Sequence, residues 1–389
     1  MVSHPNPGRP AGPLAGLSVL ELAGQGPGPF AGMLLADMGA TVVKVDRLEQ
    51  ATAWNREHVA TAPMDRGKRS VAMNLRHPES VAVVLELVER SDVLIDPFRP
   101  GVVERLGIGP EPCLAANPAL IFARMTGWGQ EGPWAQRAGH DINYIALSGA
   151  LDLLGEAGRA PQAPINVLGD FAGGGFLLAF GVICAAYEAR TSGQGQVIDA
   201  AMVDGSALVM APFISGSLRG SWGQRGTNFL DGAAHFYGVY RTADARYLSV
   251  GAIEPEFYAA LLDGLGLDPE EMGPQWDRDR WPSNKKAVAA AVATRTLDEW
   301  SATFEGADAC VCPVLTPAEA ASHPHIGERG TFVDVEGIIQ PGPAPRFSRT
   351  TTSIPAGPCF PGQHTDQVLA DAGLTAVRIE DLRREGVVA

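Results

Sequence analysis

The chain contains little cysteine, and its cysteines are scattered. Five of the 389 residues are cysteine: Cys113, Cys184, Cys310, Cys312 and Cys359. An odd number without regular spacing excludes a disulfide framework and a zinc site with the usual ligand separation. The sequence "CVC" at 310–312 is too tight for two ligands of one metal, and it predicts a packed strand. A reducing, cytoplasmic environment is therefore expected.

Basic residues are also scarce. Lysine and arginine number 30 against 44 acidic residues, which gives a formal net charge of −14. This balance excludes nucleic acid as the main partner, and an anionic ligand would have to be held by a few local arginines. Because hydrophobic residues make up 46% of the chain and charged residues 19%, the composition predicts a globular chain rather than a disordered one.

Long apolar runs are missing as well. The longest run, "FLLAFGVICAAY" at 176–187, is too short to span a bilayer and predicts a buried helix. The polar, proline-rich residues 1–13 predict a disordered tail rather than a signal peptide. The C-terminal "EGVVA" carries no lipidation signal. We therefore expect no membrane partner.

The chain does contain a regular alternation of short apolar strands and helical segments. "LSVLEL" leads through "AGQGPGP" into a helix, and "TVVKVD", "SDVLIDPF" and "ALIFARM" predict further parallel strands. The predicted fold class is α/β, a Rossmann-like large domain with a smaller α+β domain. The expected divisions are a tail at 1–13, the large domain at 14–200, a linker helix at 201–238, the small domain at 239–330 and a return segment of the large domain at 331–389.

The turn "AGQGPGP" invites comparison with a dinucleotide-binding loop. Gly24, Gly26 and Gly28 alternate, and Asp46 ends the second strand. However, Pro29 stands where the dinucleotide fingerprint has its third glycine. Prolines also remove the backbone donors that would cradle a pyrophosphate. The turn therefore argues against an NAD(P) site.

Several polar residues lie where a simple core would not require them. Ordinary alternatives exist: a turn cap for the histidine, a helix N-cap for Asp170 and solvation for the arginines. Three consecutive glycines after Asp170 lower helix propensity, and they indicate the close approach of another backbone or a ligand. Along the chain these residues are Arg47, Arg99 and Arg105 near strand ends, Gly139-His140-Asp141 before an apolar run, Asp170, and Glu254 before a proline.

Taken together, long ordered blocks of the sequence resemble the α-methylacyl-CoA racemases, which belong to the family III CoA-transferase superfamily. The likeness extends from about Leu14 to Ser353, and Asn74 stands where the family more often has aspartate. The blocks are "ELAGQGPGPFAGMLLADMGATVVKVDR", "DVLIDPFRPGVVERLGIGP", "ARMTGWGQEGPWAQRAGHDINY", "NVLGDFAGGG", "GQGQVIDAAMVDG" and "GAIEPEFYAALL".

The resemblance implies an interlocked homodimer whose active site lies between the large domain of one chain and the small domain of the other. On that template His140 and Asp170 match the two catalytic bases, and Glu254 from the other chain matches the carboxylate that pairs with the histidine. CoA would be part of an acyl-CoA thioester substrate, with no metal and no separate cofactor. The expected CoA-binding positions are Arg47, Met73, Asn74, Leu75, Arg76, Arg99, Arg105, Gly139, Asp141 and Tyr144.

The implied reaction, in lipid metabolism, interconverts (R)- and (S)-2-methylacyl-CoA thioesters by removing and returning the α-proton through an enolate. His140 would serve one face of the α-carbon and Asp170 the other, and N–H groups at the helix mouth near Asp170 would stabilise the enolate oxygen. The alternative is a CoA-transferase in which Asp170 is a nucleophile. A non-enzymatic acyl-CoA-binding protein is a third possibility.

Overall fold

The computed structural model describes residues 12–54, 59 and 61–389, so most of the predicted tail at 1–13 lies outside the described residues. The chain forms two compact units. The first contains the chain up to Ser148, Ile165–Val209 and Pro324–Ala389, and the second contains Gly149–Pro164 and Met210–His323. The second unit therefore begins well before the predicted boundary at 239. It also includes 149–164, because the Arg225 guanidinium bonds the Asp152 carboxylate and the Arg159 carbonyl.

The described helices are numbered in chain order. A π-helix, Val167–Phe176, runs directly into α7. The helices are α1 (Pro27–Asp37), α2 (Gln50–Ala53), α3 (Glu79–Val88), α4 (Val102–Arg105), α5 (Pro110–Ala116), α6 (Asp141–Leu147), α7 (Leu177–Ser192), α8 (Met202–Leu208), α9 (Ala211–Leu218), α10 (Pro255–Leu265), α11 (Pro269–Met272), α12 (Trp281–Val292), α13 (Leu297–Phe304), α14 (Pro317–Ser322), α15 (Pro324–Arg329), α16 (Thr365–Asp371) and α17 (Ala376–Arg384).

A parallel sheet of six strands forms the centre of the first unit, as the apolar strands predict. Its order is β3-β2-β1-β4-β5-β6, so the winding direction reverses between β1 and β4. The Leu20 position of β1 pairs with Val43 of β2 on one side and with Leu94 of β4 on the other. The strands are β1 (Ser18–Leu22), β2 (Thr41–Arg47), β3 (Lys68–Met73), β4 (Val93–Asp96), β5 (Ile121–Thr126) and β6 (Gln196–Ala201).

Helices cover both faces of this sheet, which is why its strands are apolar at successive positions. Neighbouring side chains of β1 point to opposite faces: Val19 packs with Leu35 of α1 and Val182 of α7. Leu20 packs in a second cluster with α3 and the C-terminal helices α16 and α17, for example with Leu382. A short hairpin of β10 (Phe332–Val335) and β11 (Ile338–Pro341) belongs to the same unit.

The helical segment Val167–Ser192 differs from the prediction of a short buried helix at 176–187. It has 26 residues, and among the described residues it is the one helix long and apolar enough to cross a membrane by length and composition alone. One face, including Leu178 and Val182, is buried against the sheet, whereas Phe180 and Tyr187 are exposed. The helix is therefore only half covered within this chain.

The second unit is built on a three-stranded antiparallel sheet. Its strands are β7 (Tyr237–Arg241), β8 (Tyr247–Gly251) and β9 (Val311–Pro313), and its core includes Trp281 and Trp300. In the predicted packed strand at "CVC", Val311 and Cys312 belong to β9 but Cys310 precedes it, and both cysteines are exposed. The predicted linker helix at 201–238 is instead two short helices, α8 and α9, because Pro212 cannot continue a helix interior.

Candidate active site

A crevice of about 950 Å³ opens in the first unit at the carboxyl ends of β1, β2, β4 and β5. Here the winding of the sheet reverses, and ligands of doubly wound sheets bind at such points. Most of the lining comes from the loops that follow these strands, at 23–27, 97–100 and 126–128, together with Lys44, Asp46, Arg47 and Gln50 of β2 and its loop.

The glycine–proline turn after β1 is shaped for close packing. Gly26 has a φ of 67°, and a side chain at Gly24 would lie 2.7 Å from the side chain of Pro97. Pro27 opens α1 and Pro29 follows two residues later, so neither position has an N–H to offer a phosphate. An anion in this crevice therefore finds no backbone donor at either proline.

Three arginines supply unpaired positive charge to the crevice. Arg47, Arg99 and Arg137 line it, and within residues 12–54, 59 and 61–389 none of them forms an ion pair. The Arg137 guanidinium lies over the Trp134 ring at 4.4 Å, which orients it by a cation–π contact. Lys44 also lines the crevice, but carboxylates neutralise it at 2.8 and 3.1 Å.

Among the residues predicted to bind CoA, Gly139 and Tyr144 also line this crevice, and those at positions 73–76, 105 and 141 do not. Met73 ends β3, and its side chain is buried in the core, so only its backbone could meet a ligand. Asn74 Oδ1 accepts the Arg76 N–H at 3.2 Å, and Leu75 packs against the core. Arg76 and Arg105 are exposed.

His140 is the N-cap of α6 and is exposed. Its backbone N–H donates to Asn143 Oδ1 at 3.0 Å, and its carbonyl accepts the Asn143 N–H at 2.8 Å. The start of the helix is thus held by reciprocal bonds between the first and fourth residues. The imidazole is attached to a fixed stretch of backbone, immediately after Gly139 of the crevice lining.

Tyr144 forms a rigid part of the crevice wall. Its hydroxyl donates to the Gly139 carbonyl, and its ring meets Trp128 edge-on at 4.7 Å. A side chain at Gly127 would lie 2.1 Å from the ring, so only glycine allows this packing. Burial and the negative charge of Asp170 raise the pKa of Tyr144, which keeps the hydroxyl protonated.

Asp170 lies inside the π-helix and is half-buried. The N-cap is Asn166, so the N-cap alternative for Asp170 is wrong. The Asn166 amide donates to Asp170 Oδ2 at 3.0 Å. A side chain at Gly26 would lie 3.4 Å from the same oxygen, which places the carboxylate against the glycine–proline turn of the crevice.

The three glycines after Asp170 mark a close approach of other elements, as the sequence indicates. A side chain at Gly173 would lie 2.8 Å from the backbone nitrogen of Ser206 in α8, and one at Gly175 would lie 2.6 Å from the Phe30 ring of α1. The neighbour is therefore another backbone and an aromatic ring. This packing explains why a helix in the core tolerates residues of low helix propensity.

Asp141 follows His140 but does not line the crevice. Its carboxylate is buried, and Oδ2 accepts the N–H of Gly169 at 2.6 Å and the N–H of Asp170 at 2.7 Å. Both N–H groups lie at the helix mouth, where we expected backbone N–H groups to stabilise an enolate oxygen. They are already bonded to Asp141, so these two are not free donors for an enolate.

Glu254 lies in the second unit and is exposed at the N-cap of α10. Its carbonyl accepts the Tyr258 N–H at 2.9 Å. The buried Gln275 amide donates to the carbonyls of Ala252 and Ile253 at 3.0 and 2.9 Å. The two residues before Glu254 are thus anchored to the core of their unit.

Comparison with known proteins assigns the family. The family model of CoA-transferase family III matches residues 14–365. The chain belongs to this family.

Two relatives are similar over almost the whole chain. The α-methylacyl-CoA racemase of Mus musculus is 46% identical over 379 residues, covering 96% of this chain and 97% of that protein. The human α-methylacyl-CoA racemase is 45% identical over 382 residues with the same coverage. Among solved structures, a CaiB/BaiF family protein from Brucella suis has a TM-score of 0.82 at 25% identity, covering 93% of this chain and 100% of that one.

Sequence analysis did not identify three residues that lie near the predicted site residues: Arg137, Asn166 and Gln275. Arg137 precedes His140 by three positions in the loop after β5, and its place there is a signal that could have identified it. Asn166 and Gln275 leave no such signal, because their importance comes from bonds to Asp170 and to the backbone before Glu254.

Proposed function

We propose that this protein is a racemase that interconverts (R)- and (S)-2-methylacyl-CoA thioesters. One observation carries the proposal: the structure links the backbones of His140 and Asp170 beside a crevice lined by unpaired arginines. The link is Asp141, the neighbour of His140, whose carboxylate accepts the Asp170 N–H at 2.7 Å. The similarity to α-methylacyl-CoA racemases over 96% of the chain supports the same reaction.

The chemistry requires two proton carriers. The α-C–H of an acyl thioester has a pKa of roughly 20, so a base of pKa about 6.5 faces a gap of about 18 kcal/mol. One group removes the proton from one face of the α-carbon, and a second returns a proton to the opposite face. We assign these roles to His140 and Asp170. Proton transfer of this kind uses no metal and no redox cofactor.

The CoA moiety would lie along the arginine-lined crevice. Arg47, Arg99 and Arg137 would bind its phosphates through charge-assisted hydrogen bonds, and Tyr144 would border the pantetheine or acyl end. The roles of Arg76, Arg105 and the backbone at 73–75 in holding the nucleotide remain predictions of the resemblance.

We also propose that the protein is a homodimer in which Glu254 of one chain supports His140 of the other. The exposed apolar side chains of the π-helix and α7 support this, because their spacing places them on one helix face, and an apolar face of this kind marks an interface. They are Phe176, Phe180, Ile183 and Tyr187. A catalytically active monomer in sedimentation at assay concentration would contradict the shared site. A cytoplasmic location and a role in lipid metabolism belong to the same proposal.

The competing function is CoA transfer, which the family name itself raises. There, Asp170 would attack the thioester and form an acyl anhydride. His140 has no evident task in that reaction, and "GAIEPEFY" around Glu254 stands where the formyl-CoA transferases that the chain resembles carry a run of glycines.

Incubation with (R)- and (S)-2-methylacyl-CoA in heavy water distinguishes these functions. A racemase inverts the α-carbon and incorporates deuterium without any added carboxylate acceptor. Hydroxylamine added during turnover leaves Asp170 unmodified. A transferase requires the acceptor, and its Asp170 is converted to a hydroxamate, which mass spectrometry of the peptide detects. A hydroxamate at Asp170 would refute the racemase proposal. Binding of acyl-CoA without exchange or transfer would indicate a binding protein.

A further inference from the structure

We infer that Asp141 is a positioning residue that holds Asp170 at a fixed place relative to His140. The inference rests on the proposed function, since it concerns the two proton carriers. It concerns the side chain of Asp141, which is 4% exposed and does not line the crevice; a contact of its backbone with CoA stays a prediction of the resemblance.

The geometry begins at the first turn of the π-helix. The early N–H groups of a helix have no acceptor within it, and here two of them, at Gly169 and Asp170, donate to Asp141 Oδ2 at 2.6 and 2.7 Å. Bonds from N–H groups to a buried carboxylate are stronger than neutral ones. Burial raises the pKa of Asp141, whereas the two amide bonds lower it and so favour its charged form.

Gly169 is the residue that permits this contact. A side chain at Gly169 would lie 2.7 Å from Asp141 Oδ2 and 3.0 Å from its carboxyl carbon, so any larger residue would push the carboxylate away. Because His140 and Asp141 are joined by one peptide bond, this side chain and its two bonds link the backbones of the two proposed proton carriers directly.

The test compares Asp141→Ala with Asp141→Asn. Alanine removes the acceptor, so we expect kcat for racemisation to fall about 100-fold, the effect of a misplacement of about 1 Å. KM should change less than about two-fold, because no CoA contact is lost. Asparagine keeps an oxygen that can accept both N–H groups, so it should retain kcat within about ten-fold of the parent. Asp141→Ala should also expose the amides at 169–170 to hydrogen exchange, measured by mass spectrometry.

Two further variants control for loss of structure. Gly169→Ala adds a side chain that displaces the Asp141 carboxylate and breaks the same bonds. It should reproduce the kcat loss, so the inference can be tested even if Asp141→Ala does not fold. Asp231→Ala removes a carboxylate that likewise accepts backbone N–H groups, three of them at 2.7, 2.9 and 3.4 Å, but in the second unit. It should lower stability and leave amide exchange at 169–170 unchanged.

The outcomes separate this inference from the proposed function. If the parent protein exchanges α-protons but Asp141→Ala retains kcat, or raises KM with kcat intact, the positioning role is refuted. Unchanged protection of the amides at 169–170 in Asp141→Ala refutes it as well. A parent protein that exchanges no α-proton refutes the racemase proposal instead, while the amide-exchange comparison still reports on the contact.

Discussion

Replacement of Gln275 by leucine removes the anchor of the segment before Glu254. The Gln275 Nε2 donates to the carbonyls of Ala252 and Ile253 at 3.0 and 2.9 Å, and the residue is 9% exposed. Leucine has a similar volume but no donor. The backbone carbonyl of Gln275, which accepts the Trp281 indole N–H at 3.0 Å, is unchanged by the substitution.

The expected magnitude follows from these two bonds. Each hydrogen bond contributes about 0.5–1.5 kcal/mol net, and a buried carbonyl left without a donor costs about 1–3 kcal/mol. Since the leucine side chain recovers part of this through apolar burial, we expect Gln275→Leu to lower the free energy of unfolding by about 2–4 kcal/mol. Because Ile253 adjoins Glu254, we also expect kcat for racemisation to fall roughly ten-fold or more.

Urea unfolding followed by circular dichroism measures the stability, and deuterium uptake into 2-methylacyl-CoA measures the activity. Asn284→Leu is the matched control. Its side-chain amide donates to the Met272 carbonyl at 2.8 Å in the same unit, away from the segment that carries Glu254. It should lower stability by about 1–2 kcal/mol and leave kcat near the parent value at temperatures where it is folded. Equal kcat values for Gln275→Leu and Asn284→Leu would refute the anchoring role.

Three other predictions concern the core and the crevice. Lys68→Met should lower the free energy of unfolding by about 3–5 kcal/mol, because it leaves the fully buried Glu21, bonded to Lys68 at 2.7 Å, unpaired. Adding Glu21→Leu should restore most of the loss in urea unfolding, and a single variant as stable as the double would contradict this. Burial lowers the pKa of His235 from 6.5 to about 4. As the pH falls, His235 is therefore protonated in the unfolded chain before it is protonated in the folded one. The free energy of unfolding should then fall by up to about 3 kcal/mol as the pH drops from 6.5 toward 4. Urea titrations at pH 7 and 5 measure this loss, and His235→Gln should remove it. Arg137→Ala should weaken CoA binding by about 1.5–3 kcal/mol in calorimetry, whereas Arg159→Ala, in the second unit, should not; equal affinities would remove Arg137 from the site.

The architecture of the first unit could be predicted from local patterns. Strands β1, β2, β4 and β5 are short apolar runs separated by helical segments, and such strands must be buried on both faces of a parallel sheet. The prolines of the turn after β1 already argued against a pyrophosphate cradle. The blocks around His140, Asp170 and Glu254 were long enough to indicate the family, which the match over residues 14–365 confirms.

Local patterns failed where the outcome depends on what packs against a segment. The run at 176–187 is equally apolar on all sides, so its sequence could not say that one face would be left exposed. Residues 149–164 lie between two segments of the first unit, yet Arg225, far along the chain, joins them to the second. Local sequence likewise did not show that the side chain of Met73, a predicted CoA-binding position, fills the core and leaves only the backbone for such a contact.

The sequence by itself determined the strands and the turn chemistry, because these follow from residue types within one short stretch of chain, and its resemblance to the family supplied the proposed acid and base groups. Tertiary structure alone decided how those groups are held. Asp141 and Asp170 are separated by 29 positions, and only folding brings the carboxylate of one onto the backbone of the other. A buried carboxylate needs donors and the first turn of a helix needs acceptors, and the fold satisfies both needs with the same two hydrogen bonds.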